Sequence, residues 1–327
     1  MKDRPIRVAI CISTFRRQKL LRELLDGIGK LSFRKIPAPE LEIVVVDTPD
    51  ESGSALEVCK SIALPWPIHY VVEPRRGLTY ARNRAVAEAG AVDFIAFIDD
   101  DEVPSPQWLD ELLLAQAEFN ADVVSGPVSP TYAPEVSPWI KAGDFFSSPP
   151  KTTGTPCRSC ATHNALVATQ VFERVPGFDH TFTLSGAEDT DFFLRASQAG
   201  CKIIWSQEAM VFEYTSAKRG TVGWILLREY QTGNGWVFCE SVIDRSTRSR
   251  VARFFKACGH VAIGFAAAIW SLLRLDRAAA VRALQRASKG MGMLSALAGR
   301  RFLAYQNPDV NQEQRVAVQA RSGVRRI

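Results

Sequence analysis

Glycine-rich phosphate loops are missing from this chain of 327 residues. The turn after its first apolar run, Thr14-Phe15-Arg16-Arg17, has no G-x-G-x-x-G, and no Walker sequence occurs, which excludes the dinucleotide fingerprint and P-loop chemistry. A disulfide framework is missing too. Cys11, Cys59, Cys157, Cys160, Cys201, Cys239 and Cys258 follow no repeat, and an odd number without a cleavable apolar segment after Met1 leads to the expectation of a reducing cytosol. Cys157-x-x-Cys160, followed by His163, is half of a zinc pattern with no second Cys pair to complete it. Ala257 to Leu273, which contains His260 and two glycines, falls short of the roughly twenty residues a spanning helix needs. Aromatic and basic residues are not interleaved, so nucleic acid is not an expected partner.

What is present is an ordinary globular composition, 46% hydrophobic and 23% charged, with an uneven distribution of charge. Residues 241–327 carry sixteen Lys/Arg and four Asp/Glu, a net +12, which leaves −7 for residues 1–240 of a chain whose total is +5. An acidic body with a basic tail suggests that the tail meets an anionic surface.

The body is organised around Phe94 to Pro104. Residues 94–98 are continuously apolar, as in a strand buried on both faces of a parallel sheet, and they stop abruptly in four acids, Asp99 to Glu102. On an extended chain Asp99 and Asp101 share a side, a pair able to hold Mg²⁺ or Mn²⁺ against a diphosphate. The same cluster would also cap a helix starting near Pro106. Val8–Ser13, Leu41–Val46 and Ile68–Val72 read as further buried strands, alternating with helices over Lys19–Leu31 and Leu78–Ala89. The class is α/β, a doubly wound, Rossmann-like and mostly parallel sheet flanked by helices. In such sheets ligands bind at the C-terminal strand ends, so Thr14/Arg16, Asp47 and Asp99/Asp101 should converge on one crevice. Pro106–Asn120 reads as a helix, Ala121–Val128 as a strand and Pro130–Thr155 as a long irregular segment with Trp139, Phe145 and Phe146. Ile203–Trp205 and Met210–Glu213 read as short strands.

The order Cys-Ile-Ser-Thr-Phe-Arg, Val-Val-Val-Asp, Gly-Leu-Thr-Tyr-Ala-Arg-Asn and Phe-Ile-Asp-Asp-Asp-Glu resembles the family 2 glycosyltransferases of the GT-A fold, and among them the succinoglycan-type exopolysaccharide glucosyltransferases. The resemblance implies a catalytic domain over residues 1–240, with a nucleotide-sugar half to 128 and an acceptor half from 129. It implies a nucleotide-sugar donor, usually a UDP-sugar, and a divalent metal, Mn²⁺ or Mg²⁺. By analogy Thr14, Phe15 and Arg16 line the nucleotide pocket, Asp47 reads the base, Arg82 and Asn83 lie near ribose and phosphates, and Asp100 belongs to the donor site. Asp99 contacts ribose or metal and Asp101 coordinates the metal. After the second strand many relatives read Val-Asp-Asp-Gly-Ser, where this chain has Asp47-Thr48-Pro49-Asp50-Glu51.

Thr162-His-Asn164-Ala-Leu resembles the family strand that borders the donor sugar, and Asp191 joins Thr162 and Asn164 in the expected sugar site. The family's acidic pair falls on Glu188 and Asp189, with Asp189 as the base that deprotonates the acceptor and Glu188 orienting it, the order of the two roles staying open. Relatives often carry a metal-supporting His near the position of Glu213. The Gln-x-x-Arg-Trp signature of processive synthases is absent after Gln231, which implies one sugar added per encounter.

The remaining region, 241–327, reads as a helical appendage. In Arg277–Phe302, Arg282, Arg286 and Lys289 fall on one face and Val281, Leu284, Met291 and Leu294 elsewhere, the pattern of a basic amphipathic helix at an anionic membrane or of a hairpin packed on the body. The combined expectation is an inverting enzyme, cytoplasmic and peripheral to the inner face of the membrane, with a lipid-linked saccharide acceptor. The rivals are a sugar-phosphate nucleotidyltransferase and a non-catalytic saccharide-binding scaffold.

Overall fold

The computed structural model describes residues 4–49 and 54–304. Residues 1–3, the loop acids Asp50 and Glu51, and the last part of the expected basic region, 305–327, lie outside the described residues.

The apolar runs form strands where the sequence predicts them. β1 (Arg7–Thr14), α1 (Gln18–Ile28), β2 (Glu40–Asp47), α2 (Leu56–Ser61), β3 (Ile68–Val72), α3 (Leu78–Glu88) and β4 (Phe94–Ile98) follow in order. β3, β2, β1 and β4 are neighbours and mutually parallel, with Thr14 beside Asp47 and Cys11 beside Phe97. The chain leaves β1 for β2 on one side and returns to β4 on the other, so the strand order reverses beside β1. The C-terminal ends there open a crevice.

After β4 come β5 (Glu102–Pro104), α4 (Trp108–Phe119), β6 (Val123–Ser125), β7 (Val128–Tyr132), α5 (Pro138–Gly143), β8 (Asn164–Ala168), α6 (Gln170–Arg174), α7 (Glu188–Gln198), β9 (Ile203–Trp205) and β10 (Val211–Thr215). β8, β6 and β9 extend the main sheet to seven strands, β8 running antiparallel to β4. β5, β10 and β7 form a second sheet of three strands. The single strand expected over 121–128 is therefore two strands in different sheets. Gly126-Pro127 divides them. Pro127 has no N–H for a ladder, and a Cβ on Gly126 would sit 2.2 Å from the Ala209 carbonyl oxygen. The irregular segment expected from Pro130 also holds the end of β7 and all of α5.

Strand periodicity builds two apolar layers. Val8, Ile10 and Ile12 pack with Leu21, Leu24, Leu25 and Trp108 on one face, while Ala9 and Cys11 pack with Ala81, Ala85 and Phe192 on the other. Each fully buried leucine or isoleucine contributes about 1.5–3 kcal/mol.

Three helices finish the described chain: α8 (Val222–Ile243), α9 (Thr247–Leu273) and α10 (Arg277–Leu297). The expected boundary after residue 240 falls inside the last turn of α8. α10 packs along both α8 and α9, and its Val281, Ala287 and Met293 are buried. Its apolar side is thus spent on protein, the packed-hairpin alternative. α9 has 27 residues, longer than its apolar part alone suggested.

Candidate active site

The crevice is held together by arginines rather than lined by isolated acids. Thr14 Oγ1 donates to Asp100 Oδ2 at 2.8 Å, so this threonine and Asp100 are tied to each other at the base of the site. Arg17 Nη1 lies 2.7 Å from Asp100 Oδ1 and 3.0 Å from Asp101 Oδ2. Arg219 Nη1 lies 3.2 Å from the same Asp101 oxygen and 2.7 Å from Glu213 Oε1. Burial pushes Asp100 up to about 6 against the lowering effect of Arg17, and it raises Asp101 too. Neither Arg17 nor Arg219 is among the expected site residues. Their signal is positional: Arg17 follows directly on the β1 turn, and Arg219 follows β10, which pairs with β5 next to the acids.

Asp99 is more open, and its carboxylate meets Arg82 Nη2 at 3.4 Å. Arg82 is buried and also donates through Nη1 to Glu188 Oε1 at the start of α7. One guanidinium thus bridges the acids after β4 and the acidic pair of α7. Burial raises the Glu188 carboxyl to about 7 against the opposing charge of Arg82. Its Oε2 is buried without a hydrogen-bond partner, as is Thr162 Oγ1. Asp189 is half-buried, and its Oδ1 accepts from Thr190 N at 2.6 Å.

Phe15 is exposed at the mouth, with Arg16 and Arg76 guanidinium carbons 4.9 and 5.8 Å from its ring centroid. Arg16 has φ of 57°, a left-handed conformation costing a non-glycine residue about 1 kcal/mol or more. Asp47 is buried at the end of β2, its Oδ2 accepting from Ala55 N at 2.7 Å and Tyr70 OH at 2.8 Å.

Three expected site residues serve the scaffold instead. Asn83 spends its amide on Phe178, accepting from its N–H and donating to its carbonyl, both at 2.8 Å. Asn164, 0% exposed, accepts from Trp108 Nε1 and donates to the Pro127 and Ala209 carbonyls. Asp191 is buried and accepts from Arg195 Nε at 2.8 Å, while Arg195 holds the Gly177 carbonyl.

His163, read in the sequence for zinc alone, faces the acids. Its Nδ1 lies 3.2 Å from Glu102 Oε1. Burial alone would lower the imidazole, but the bond to Glu102 and the nearby acids push it up to about 9. Burial raises Glu102 to about 8, against the lowering effect of its bond to His163. Next to them is a cavity of about 230 Å³ lined by Phe145, Phe146, His163, Glu213, Arg228 and Gln285, the last from α10.

No three-ligand His/Cys/Asp/Glu cluster exists among the described residues. The donor set nevertheless suits a hard divalent cation. Asp99, Asp101 and Glu213 offer oxygen alone, the donor type such a cation takes, although Arg17 and Arg219 hold Asp101 and Arg219 also holds Glu213.

The glycosyl transferase family 2 model matches residues 9–175, and the glycosyl transferase family group 2 model matches residues 94–273. The succinoglycan biosynthesis protein ExoM of Rhizobium meliloti (strain 1021) is 32% identical over 236 residues, covering 71% of this chain and 75% of that protein. The glucosyl-dolichyl phosphate glucuronosyltransferase of Haloferax volcanii is 24% identical over 249 residues, covering 70% of this chain and 75% of its own length. Among solved structures, residues 1–349 of S. aureus TarS match with a TM-score of 0.51 at 14% identity, covering 90% of this chain and 92% of theirs. The same fragment in complex with UDP-GlcNAc matches with a TM-score of 0.50 at 14% identity, covering 90% and 93%. The fold is GT-A, and the chain belongs to glycosyl transferase family 2, as a glycosyltransferase related to enzymes of exopolysaccharide biosynthesis.

Proposed function

We propose that the protein is an inverting, metal-dependent glycosyltransferase that moves one sugar from a UDP-sugar to a lipid-linked saccharide during exopolysaccharide or cell-surface glycan synthesis, in the cytoplasm at the inner face of the membrane. The observation that carries this reading is the Arg82 bridge between Asp99 and Glu188, which fixes the donor-side acids and the acceptor-side acids in one crevice. The TarS fragment of similar fold binds UDP-GlcNAc, which supports a uridine nucleotide. The Haloferax relative is named for a sugar carried on dolichyl phosphate, which supports a lipid-linked acceptor.

In this mechanism Asp189 takes the proton from the acceptor hydroxyl as that oxygen bonds to the anomeric carbon. The bond from that carbon to the diphosphate breaks on the opposite face, so the centre inverts. Phe15 and Arg16 flank the nucleotide, with Asp47 at the base. Asp99 and Asp101 would hold Mg²⁺ or Mn²⁺, which when bound would supply positive charge for the departing diphosphate. Arg17 and Arg219, which share Asp101, supply fixed positive charge to the same region. Glu188 holds Arg82 in place, and Thr162, with its unsatisfied hydroxyl, faces the sugar. The test is release of UDP from a panel of UDP-sugars with Mn²⁺ and a saccharide acceptor. Stoichiometric UDP and a product of inverted configuration are expected. Release of pyrophosphate, or retained configuration, contradicts the proposal.

A further inference from the structure

Helix α9 has two unlike faces. On the inner one Ala257, Gly264 and Ala268 are buried, and a Cβ on Gly264 would sit 2.5 Å from the Ala287 nitrogen of α10. The outer one is apolar and bare: Phe255, Ile269, Trp270 and Leu273 are 68%, 62%, 61% and 74% exposed. No Asp, Glu, Lys or Arg occurs from Ala257 to Leu273. A helix that is apolar all round belongs to a protein core or to lipid. A core is excluded here, because only 22% of its most apolar window is buried.

Charge identifies what covers this face. From Asp244 to Arg300 there are eleven Lys/Arg and two Asp. Both Asp are occupied: Asp276 accepts from Ala279 N, and Asp244 from Ser246 N and Ser249 Oγ. Arg248 and Lys256 toward one end and Arg274 and Arg277 at the other are exposed. A two-fold contact between copies of the chain would press these like charges together, whereas an anionic leaflet neutralises them. Arg274 lies over the Trp270 ring at 5.5 Å, an aromatic–cation pair suited to the headgroup boundary.

The neighbouring helix fixes the orientation. α10 runs antiparallel along α9, Gly264 meeting Ala287 while Gly290 meets Ala257 and His260. It carries Arg282, Arg286 and Lys289, which a spanning α9 would drag into hydrocarbon. We propose that α9 lies in the plane of an anionic bilayer with its outer face in one leaflet, and that α10 sits on its aqueous side. This rests on the reading of a lipid-linked acceptor and deepens it. α10 supplies Gln285 to the cavity beside Glu213, and its Arg282 holds the Gly143 carbonyl at the end of α5. The membrane helix is thereby coupled to the wall of the pocket.

The experiment is flotation of the full chain with phosphatidylcholine vesicles, with and without phosphatidylglycerol, in parallel with UDP titration. The parent should float with the anionic vesicles and less at high salt. Ile269→Glu combined with Leu273→Glu should lower partitioning about tenfold or more while UDP affinity holds. Equal flotation of parent and variant overturns the proposal, as does a parent dimer that the variant dissociates with no vesicle binding in either. UDP binding without flotation overturns the membrane placement alone. Flotation without UDP binding supports the placement and contradicts the glycosyltransfer reading. For orientation, Ile263→Trp in a Trp270→Phe background should be quenched most by lipids brominated near the headgroup. Strongest quenching by deeply brominated lipids overturns the in-plane arrangement.

Discussion

At the residue scale, the proposed division of labour between Glu188 and Asp189 rests on burial. Glu188 is enclosed and bonded to Arg82, while Asp189 sits half-open on the first turn of α7. Asp189→Asn is expected to leave UDP affinity unchanged and lower transfer about 10²- to 10⁴-fold, read from initial rates alongside nucleotide titration. A parent-like rate in that variant would remove Asp189 from the role of base. Glu188 should set the acidic limb. With its carboxyl raised to about 7, it is protonated below that pH and ionised above it. Transfer should therefore fall as pH drops through about 7, where Arg82 loses its counter-charge, and the limb should be absent in Glu188→Gln. The acidic cluster was legible in the sequence because Asp99 to Glu102 follow a buried strand without a break. Arg219 was not legible as their partner, because no local pattern links it to Asp101 across more than a hundred residues. Asn83, Asn164 and Asp191 mislead for a related reason. A polar side chain beside a site reads the same in sequence whether it holds substrate or backbone, and these hold Phe178, Trp108 and Arg195.

At the scale of elements, Asn164 joins the two sheets through the carbonyls of Pro127 and Ala209. Asn164→Ala should cost about 1–3 kcal/mol, by stranding the Trp108 N–H and two buried carbonyls, with UDP affinity unchanged. Urea unfolding measures the first and calorimetry the second. A matching loss of UDP affinity in a folded variant would return Asn164 to the binding site. The helical unit depends on close backbones. A Cβ on Gly233 of α8 would lie 2.1 Å from the Lys289 carbonyl oxygen of α10. Gly233→Ala should therefore lower stability by about 1–3 kcal/mol, read as a shift in urea midpoint at constant slope. An unchanged midpoint would mean that α8 and α10 separate at little cost. Strands β1, β2 and β4 were readable because both faces of a parallel sheet are apolar, which leaves continuous runs; β3, expected as a buried strand, is instead the sheet edge, with Val71 alone buried. The break between β6 and β7 was not, because Val123 to Val128 is apolar on either side of Gly126-Pro127. Within α8, Gly233 and Gly235 have the composition of helix breakers but mark tight packing, against Lys289 of α10 and Ala187.

For the whole molecule, the separation of charge matches the separation of tasks. An acidic body carries the crevice, and a basic helical unit carries the exposed apolar face of α9. The sequence placed the membrane contact on α10 because its basic and apolar positions alternate. In the structure Val281 and Leu294 of those positions pack on protein while Met291 is exposed, which leaves α9 as the element with the larger uncovered apolar face. The central claim, a metal-assisted nucleotide-sugar site between β1, β2 and β4, is tested most directly by calorimetric titration of the folded protein with UDP, GDP and dTDP, each with Mn²⁺ and with EDTA. The account predicts binding of UDP that requires Mn²⁺ and disappears in Asp101→Asn. UDP binding of equal strength in EDTA, or no nucleotide binding by a chain shown to be folded, would contradict it.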